Sequence, residues 1–430
     1  MRKIIIVFLF LIYPFLGNAQ DSLEKINYLI LTQKYTEALH QTNEFIRNNP
    51  ENSTGYYQKA LINKLMYKYP DAIKAIRKAL DKEPENIDYI TEYATLLMKR
   101  ERNKEAVELF EQAFSKDSSN FYSGLKLGNY YMKTKEYERA QKILYTLYVN
   151  DTTNSYLARN LGLCSIKLLD KENSLNWLKR ALYLDSTDVK AYEYLALVYR
   201  SAKEFDKALD CLNEAIKVAP QNKYLYIKIG DIHVLRNHNY RAIPAYLEAL
   251  AIDPKDEFVV KSIGLSYYKI KKYNKSMHYL KKVLSMGMND LQCFNHLGKI
   301  YTHKNKLDSA NNYFFEALEL LHPDNSLIFS IKENMGKNYY SMGEYTKALE
   351  QFNDIIKLEL KEGYLETYRK NKVLIDMASI YHEKLQDKKK AIEYYEKIIE
   401  PEVMVNKDYY NYAQTQIKKL KEELFFEGEL

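Results

Sequence analysis

The stretch Tyr194–Pro220 reads YLALVYRSAKEFDKALDCLNEAIKVAP. Bulky and small apolar residues alternate in a helical rhythm, a turn follows at SAKEF, and a proline closes the segment. The same layout returns from Gly264 as GLSYYKIKKYNKSMHYLKKVL, from Gly298 as GKIYTHKNKLDSANNYFFEAL and from Gly336 as GKNYYSMGEYTKALEQFNDII. Aligned on the small residue of the second helical run, the copies fall at Ala38, Ala72, Ala106, Ala140, Ser174, Ala208, Ala242, Ser276 and Ala310, every step being 34 residues. Two further copies, at Ala348 and Ala391, follow small insertions.

A second small position runs twelve residues ahead of the first: Ile26, Ala60, Ala94, Gly128, Gly162, Ala196, Gly230, Gly264, Gly298, Gly336 and, one residue further back, Ala378. Three residues after it stands a large residue, most often tyrosine, as at Tyr131, Tyr199, Tyr267, Tyr301, Tyr339 and Tyr381. A small residue where two helices cross lets their backbones approach, and a large one fills the neighbouring gap. Proline at Pro50, Pro84, Pro220 and Pro254 ends several units, because it cannot continue a helix. Each unit is therefore a helix–turn–helix that cannot bury its apolar face alone, and stacking supplies the core.

In period, small–large–small positions and closing proline the chain resembles the tetratricopeptide repeat (TPR) family. The resemblance covers about residues 20–400. It implies an all-α, right-handed α-solenoid of about eleven helix–turn–helix repeats. Leu29, Asn63, Leu97, Ser165 and His233 depart from the large aromatic. The register breaks near His322–Leu327, by about four residues, and near Gly363–Lys370; both insertions are expected between units. The segment 401–430 contains an amphipathic Lys/Glu-rich run from Asp408 and is expected to be a capping helix and tail.

Composition agrees with this reading. The 430 residues include only 13 glycines and 9 prolines, too little turn chemistry for an all-β or α/β fold. The net charge of +7 is spread along the chain without a basic block, so no nucleic-acid partner is implied. Cys164, Cys211 and Cys293 are odd in number and far apart, which makes neither a disulfide framework nor a zinc pattern. At the N-terminus Arg2 and Lys3 precede an apolar run, Ile4–Leu16, and then Gly17-Asn18-Ala19. This reads as a signal peptide over residues 1–19, with mature protein starting at Gln20, exported to the periplasm or cell envelope. No later stretch is apolar enough to span a bilayer.

No G-x-S-x-G, P-loop, G-x-G-x-x-G or H-E-x-x-H occurs, so no catalytic residue, cofactor or metal is assigned and an enzyme is not expected. His296 and His303, with Cys293, share roughly one helix face, but a fourth metal ligand is missing. Ordinary packing is the favoured reading. Triplets such as Asp21-Ser22-Leu23, Asp151-Thr152-Thr153, Asp185-Ser186-Thr187 and Asp308-Ser309-Ala310 resemble the O-glycosylation acceptor of some exported bacterial proteins, with helix capping as the alternative.

In TPR-like stacks the first helix of each unit lines the concave face. The residues expected there are Tyr122, Leu125, Lys126, Asn129 and Lys133; then Tyr156, Arg159, Asn160, Leu163 and Lys167; then Lys190, Glu193, Tyr194, Leu197 and Arg200. Lysine and arginine attract carboxylates, asparagine bonds a peptide backbone, and tyrosine gives flat contact area at low entropy cost. Part of the strip resembles the carboxylate clamp of some TPR domains: Asn129, Asn160 and Lys190 match, while Leu125 and Tyr194 stand where the clamp has basic residues. The expected partner-binding residues are thus Lys126, Asn129, Lys133, Arg159, Asn160, Lys167, Lys190, Tyr194 and Arg200, and the expected partners are proteins offering acidic or extended segments. A homo-oligomer is also open, since solenoid ends can stack. The leading function is a non-catalytic interaction scaffold; the alternative is a membrane-anchored sensor module that retains its N-terminal segment.

Overall fold

The computed structural model describes residues 19–320, 325–358, 364–399 and 407–427. Of the expected signal peptide, residues 1–18 lie outside them. The described residues form twenty-three α-helices and no strand, divided between two compact units, Met1–Ala219 and Pro220–Leu430.

The first unit holds α1 (Ala19–Leu31), α2 (Tyr35–Asn48), α3 (Ser53–Leu65), α4 (Tyr69–Lys82), α5 (Ile87–Lys99), α6 (Asn103–Lys116), α7 (Phe121–Lys133), α8 (Tyr137–Asn150), α9 (Ser155–Lys167), α10 (Lys171–Leu184), α11 (Val189–Ser201) and α12 (Phe205–Val218). The second holds α13 (Lys223–Leu235), α14 (Asn239–Ile252), α15 (Glu257–Lys269), α16 (Tyr273–Ser285), α17 (Leu291–His303), α18 (Leu307–Glu319), α19 (Asn325–Ser341), α20 (Tyr345–Ile356), α21 (Tyr364–Ser379), α22 (Lys388–Ile399) and α23 (Lys407–Phe426). Within each unit an odd-numbered helix pairs with the even-numbered one after it, which in turn packs on the next odd one. Each unit is thus an α-solenoid of helix–turn–helix repeats.

Three periodic features build the repeats. The first is the cap of the first helix. Asn52, Asn86, Asn120, Asn154 and Asp188, and in the second unit Asn222, Asp256 and Asp290, recur every 34 residues and accept a hydrogen bond from a first-turn N–H. The second is the turn between paired helices. Gln33, Tyr67, Glu101, Lys135, Leu169, Lys203, Asn237, Lys271 and Asn305 all sit at φ between 56° and 66°, left-handed backbone that L side chains adopt at a cost. The third is the crossing. The small residues from Ala38 to Ala391 are buried, and each glycine at the first-helix position, from Gly128 to Gly336, faces a large residue sixteen further on. A Cβ on Gly298 would stand 2.5 Å from Phe314 Cε1, so only glycine fits beneath that ring.

The register breaks resolve into helix. α19 has 17 residues where a typical first helix here has 13, so the insertion near 322–327 adds a turn to its start; residues 321–324 lie outside the described set. The stretch 364–370, expected between units, is the beginning of α21, while 359–363 lie outside. The one-residue offset at Ala378 is a π-helical turn at Ile380–Lys384, which holds one extra residue. Finally α23 buries Ala413, Ile417, Leu420 and Leu424 against α22 and shows solvent a charged face, so the described part of 401–430 caps the second unit. No described helix is long and apolar enough to cross a membrane.

Candidate partner-binding groove

The basic strip read from the sequence divides in two. On α7 its cations are open. Lys126 Nζ lies 5.0 Å over the Tyr122 ring, and Asn129 Oδ1 accepts a 3.2 Å hydrogen bond from the Tyr156 hydroxyl. Lys126, Asn129 and Lys133 line a cleft of about 800 Å³, closed on its other side by Met98, Glu101, Lys104 and the Arg102–Glu105 ion pair at the α5–α6 turn. A second cleft of about 420 Å³ shares Met98 and Lys126 and adds Tyr67, Tyr69, Thr95 and Tyr122. Together they make a continuous groove along α3, α5 and α7. Among the described residues no carboxylate is within ion-pair distance of Lys104, Lys126 or Lys133. Lys64, at the far end, is held 2.8 Å from Glu92, whose carboxyl is pushed up by burial and pulled partly back by that lysine.

On α9 and α11 the same residue types are engaged by the fold. Arg159 Nη1 donates to Asp188 Oδ2 at 2.8 Å and lies over the Tyr156 ring. Asp188 is only 8% exposed, and its other oxygen caps α11 through the Ala191 N–H. Asn160 is buried and its Nδ2 donates to the Tyr156 carbonyl of its own helix. Lys190 bonds the buried Glu193 at 2.6 Å, which raises its pKa above the ordinary lysine value. Tyr194 packs half-buried against Leu178, Leu195 and Val198. Lys167 is exposed and Arg200 half-buried, at the ends of α9 and α11 and outside both clefts. Three of the nine expected residues therefore meet in one cleft, and four serve packing or ion pairing.

The physical reason is the cap. An asparagine cap is neutral, but a buried aspartate cap needs a cation. Arg159 answers Asp188, Lys261 answers Asp290, and Lys223 answers Asp256, each from the preceding first helix. α9 is capped by the neutral Asn154, and the α7 position that matches Arg159 is Leu125, so Lys126 and Lys133 have no cap carboxylate to answer. The cleft residues that sequence reasoning missed are Tyr67, Met98, Lys99 and Lys104; the sign that could have found them is the run of neutral caps from Asn52 to Asn154.

The other candidates have structural partners. His296 meets Tyr268 edge-on and bonds the Gln292 carbonyl, while His303 stacks on Tyr273. No group of three metal-binding side chains occurs among the described residues. Burial pushes Cys164 and Cys211 to about 11 and Cys293 to about 12, which leaves them as unreactive thiols. Thr153 and Thr187 each donate their N–H and hydroxyl to the aspartate two residues before, the geometry of a closing turn.

Comparison with known proteins gives two matches to tetratricopeptide repeat models, over residues 189–222 and 372–400. A model of ChAPs (Chs5p-Arf1p-binding proteins) matches residues 23–167. No curated protein matches the chain. Among solved structures, the C-terminal part of a TPR repeat-containing protein from Cytophaga hutchinsonii is 18% identical, covering 56% of this chain and 98% of its own, at a TM-score of 0.49. A tetratricopeptide repeat protein from Parabacteroides merdae is also 18% identical, covering 58% and 98%, at 0.43. YrrB, described as a TPR protein with an unusual peptide-binding site, is 21% identical over 44% and 97%, at 0.38.

Proposed function

The chain is a tetratricopeptide-repeat protein, and on that footing we propose that it is a non-catalytic scaffold, exported to the cell envelope, that takes acidic, extended segments of partner proteins in the α3–α5–α7 groove. The observation that carries this reading is the set of lysines, Lys104, Lys126 and Lys133, lining one cleft without an ion pair among the described residues, where the carboxylates are Glu101 and the Arg102-paired Glu105. A partner carboxylate gains charge-assisted hydrogen bonds there, Asn129 is placed beside it for a peptide backbone, and Tyr122 and Tyr130 supply flat, rigid contact area. Steering by such a patch acts mainly on the association rate and weakens with salt. Export rests on the Arg2-Lys3, Ile4–Leu16 and Gly17-Asn18-Ala19 succession.

The test is affinity capture from the envelope fraction with wild-type and K126E/K133E bait, with the bait's N-terminus sequenced. Partners recovered by the wild type and lost by the variant, with a start at Gln20, are expected. Equal recovery by both would move the site elsewhere, and an intact Met1 in the membrane fraction would replace the exported scaffold with the anchored sensor.

A further inference from the structure

Repeat two breaks the packing rule that the nine later repeats keep; repeat one, at the end of the stack, also has a lysine, Lys25, at this position. The residue just before the small position of the first helix is apolar in all nine later repeats, from Tyr93 and Leu127 through Leu297 and Met335 to Met377, but it is Lys59 here. Four residues on, where most repeats place tyrosine, stands Asn63. Where the later repeats have apolar core, a polar cleft of about 560 Å³ opens between α2, α3 and α4. Asn63 is 2% exposed and donates to the Lys59 carbonyl at 2.9 Å; Lys59 Nζ donates to Asn43 Oδ1 at 2.7 Å, a neutral partner. Lys68, Lys74, Arg77 and Lys78 complete the wall, against the single carboxylate Asp71. Among the described residues none of these cations is ion-paired.

We propose that this cleft is a second binding site, separate from the α3–α5–α7 groove, and that its ligand is a carboxylate-rich peptide segment of a partner protein. A half-buried ammonium beside four further cations is costly in an empty cleft, and an anion there relieves the cost. Departures from an otherwise consistent packing rule concentrate where function requires them. The cation types select carboxylate over phosphate. The only guanidinium, Arg77, has both Nε and Nη2 on the Tyr93 hydroxyl at 2.9 and 2.7 Å, so the bidentate fork that favours phosphate is already engaged. The four lysines are point charges spread along the cleft, and Asn43 and Tyr56 lie between them for a peptide backbone.

The test is the anisotropy of a fluorescein-labelled hexaglutamate peptide, titrated with full-length protein carrying K126E/K133E, so that the first groove is silent. Binding is expected to persist in that background and to fall at least tenfold on adding K74E/K78E, two exposed positions that leave the core intact. It should fall equally on adding K59L/N63Y, which installs the residue types most common in the later repeats, with a melting temperature at or above the parent's. Unchanged binding in K59L/N63Y would overturn the site. Displacement of the peptide by pyrophosphate at lower concentration than by unlabelled hexaglutamate would overturn the choice of ligand.

Discussion

The α5–α7 region and the α9–α11 region look alike as sequence: each offers tyrosine, asparagine and cations at the inward positions of a first helix. They differ at three inward positions, Leu125, Lys126 and Asn129 against Arg159, Asn160 and Leu163, and in the cap of the helix that follows, Asn154 against Asp188. Asn154 leaves Lys126 and Lys133 for a partner, whereas Asp188 takes Arg159 for the fold. The lesson is that a basic strip on a solenoid is not a binding surface until the carboxylates of the next repeat have been accounted for.

The largest expected effect separates the two regions by stability. Arg159→Met strands a buried carboxylate and should cost about 3 kcal/mol, whereas Lys126→Met should stay within about 0.5 kcal/mol. Adding Asp188→Asn to Arg159→Met should recover most of the loss, because asparagine caps a helix as well as aspartate. Denaturant unfolding of the four proteins checks this; equal costs at positions 126 and 159 would erase the distinction.

A smaller effect should be common to both regions. Lys135 and Leu169 hold the same left-handed turn at φ 66° and 61°, and Leu169 is 91% exposed, so it has little packing to lose. Replacing either with glycine should stabilise by about 1 kcal/mol. A gain at one site alone would mean that the turns are not equivalent, a point that thermal melts of both variants settle.

The smallest effect disappears in acid. Glu204 lies between Lys171 and Lys207, whose hydrogen bonds hold its carboxyl at about 2 against an ordinary 4.5. As pH falls below about 4.5 the unfolded chain takes up the proton first, so the contribution of this group is full above that pH and is lost on the way down to about 2. Melting temperatures of wild type and Glu204→Gln should therefore differ at pH 6 and converge towards pH 2. Parallel curves would show that the carboxylate contributes nothing.

Much of the fold was legible because a 34-residue period writes the crossing residues repeatedly, from Ala38 to Ala310. Even the π-helical turn had a trace, in the one-residue offset of Ala378. The candidate site was legible only in its α7 part. Arg159 and Asp188 are 29 residues apart and on different helices, and their pairing depends on knowing that position 188 is a buried cap. Asn160 was misleading for a different reason: its side chain turns back to its own helix, which composition cannot reveal. Asn63 registered as a missing aromatic, yet its meaning required Lys59 beside it in the same cleft.

The most direct measurement compares two double variants, K126E/K133E and R159M/D188N, in a K59L/N63Y background that closes the second cleft. Each is titrated against labelled hexaglutamate. The account predicts that K126E/K133E loses at least tenfold in affinity while R159M/D188N binds as its parent does. Loss of binding in R159M/D188N with retention in K126E/K133E would place the partner on α9–α11 and contradict it.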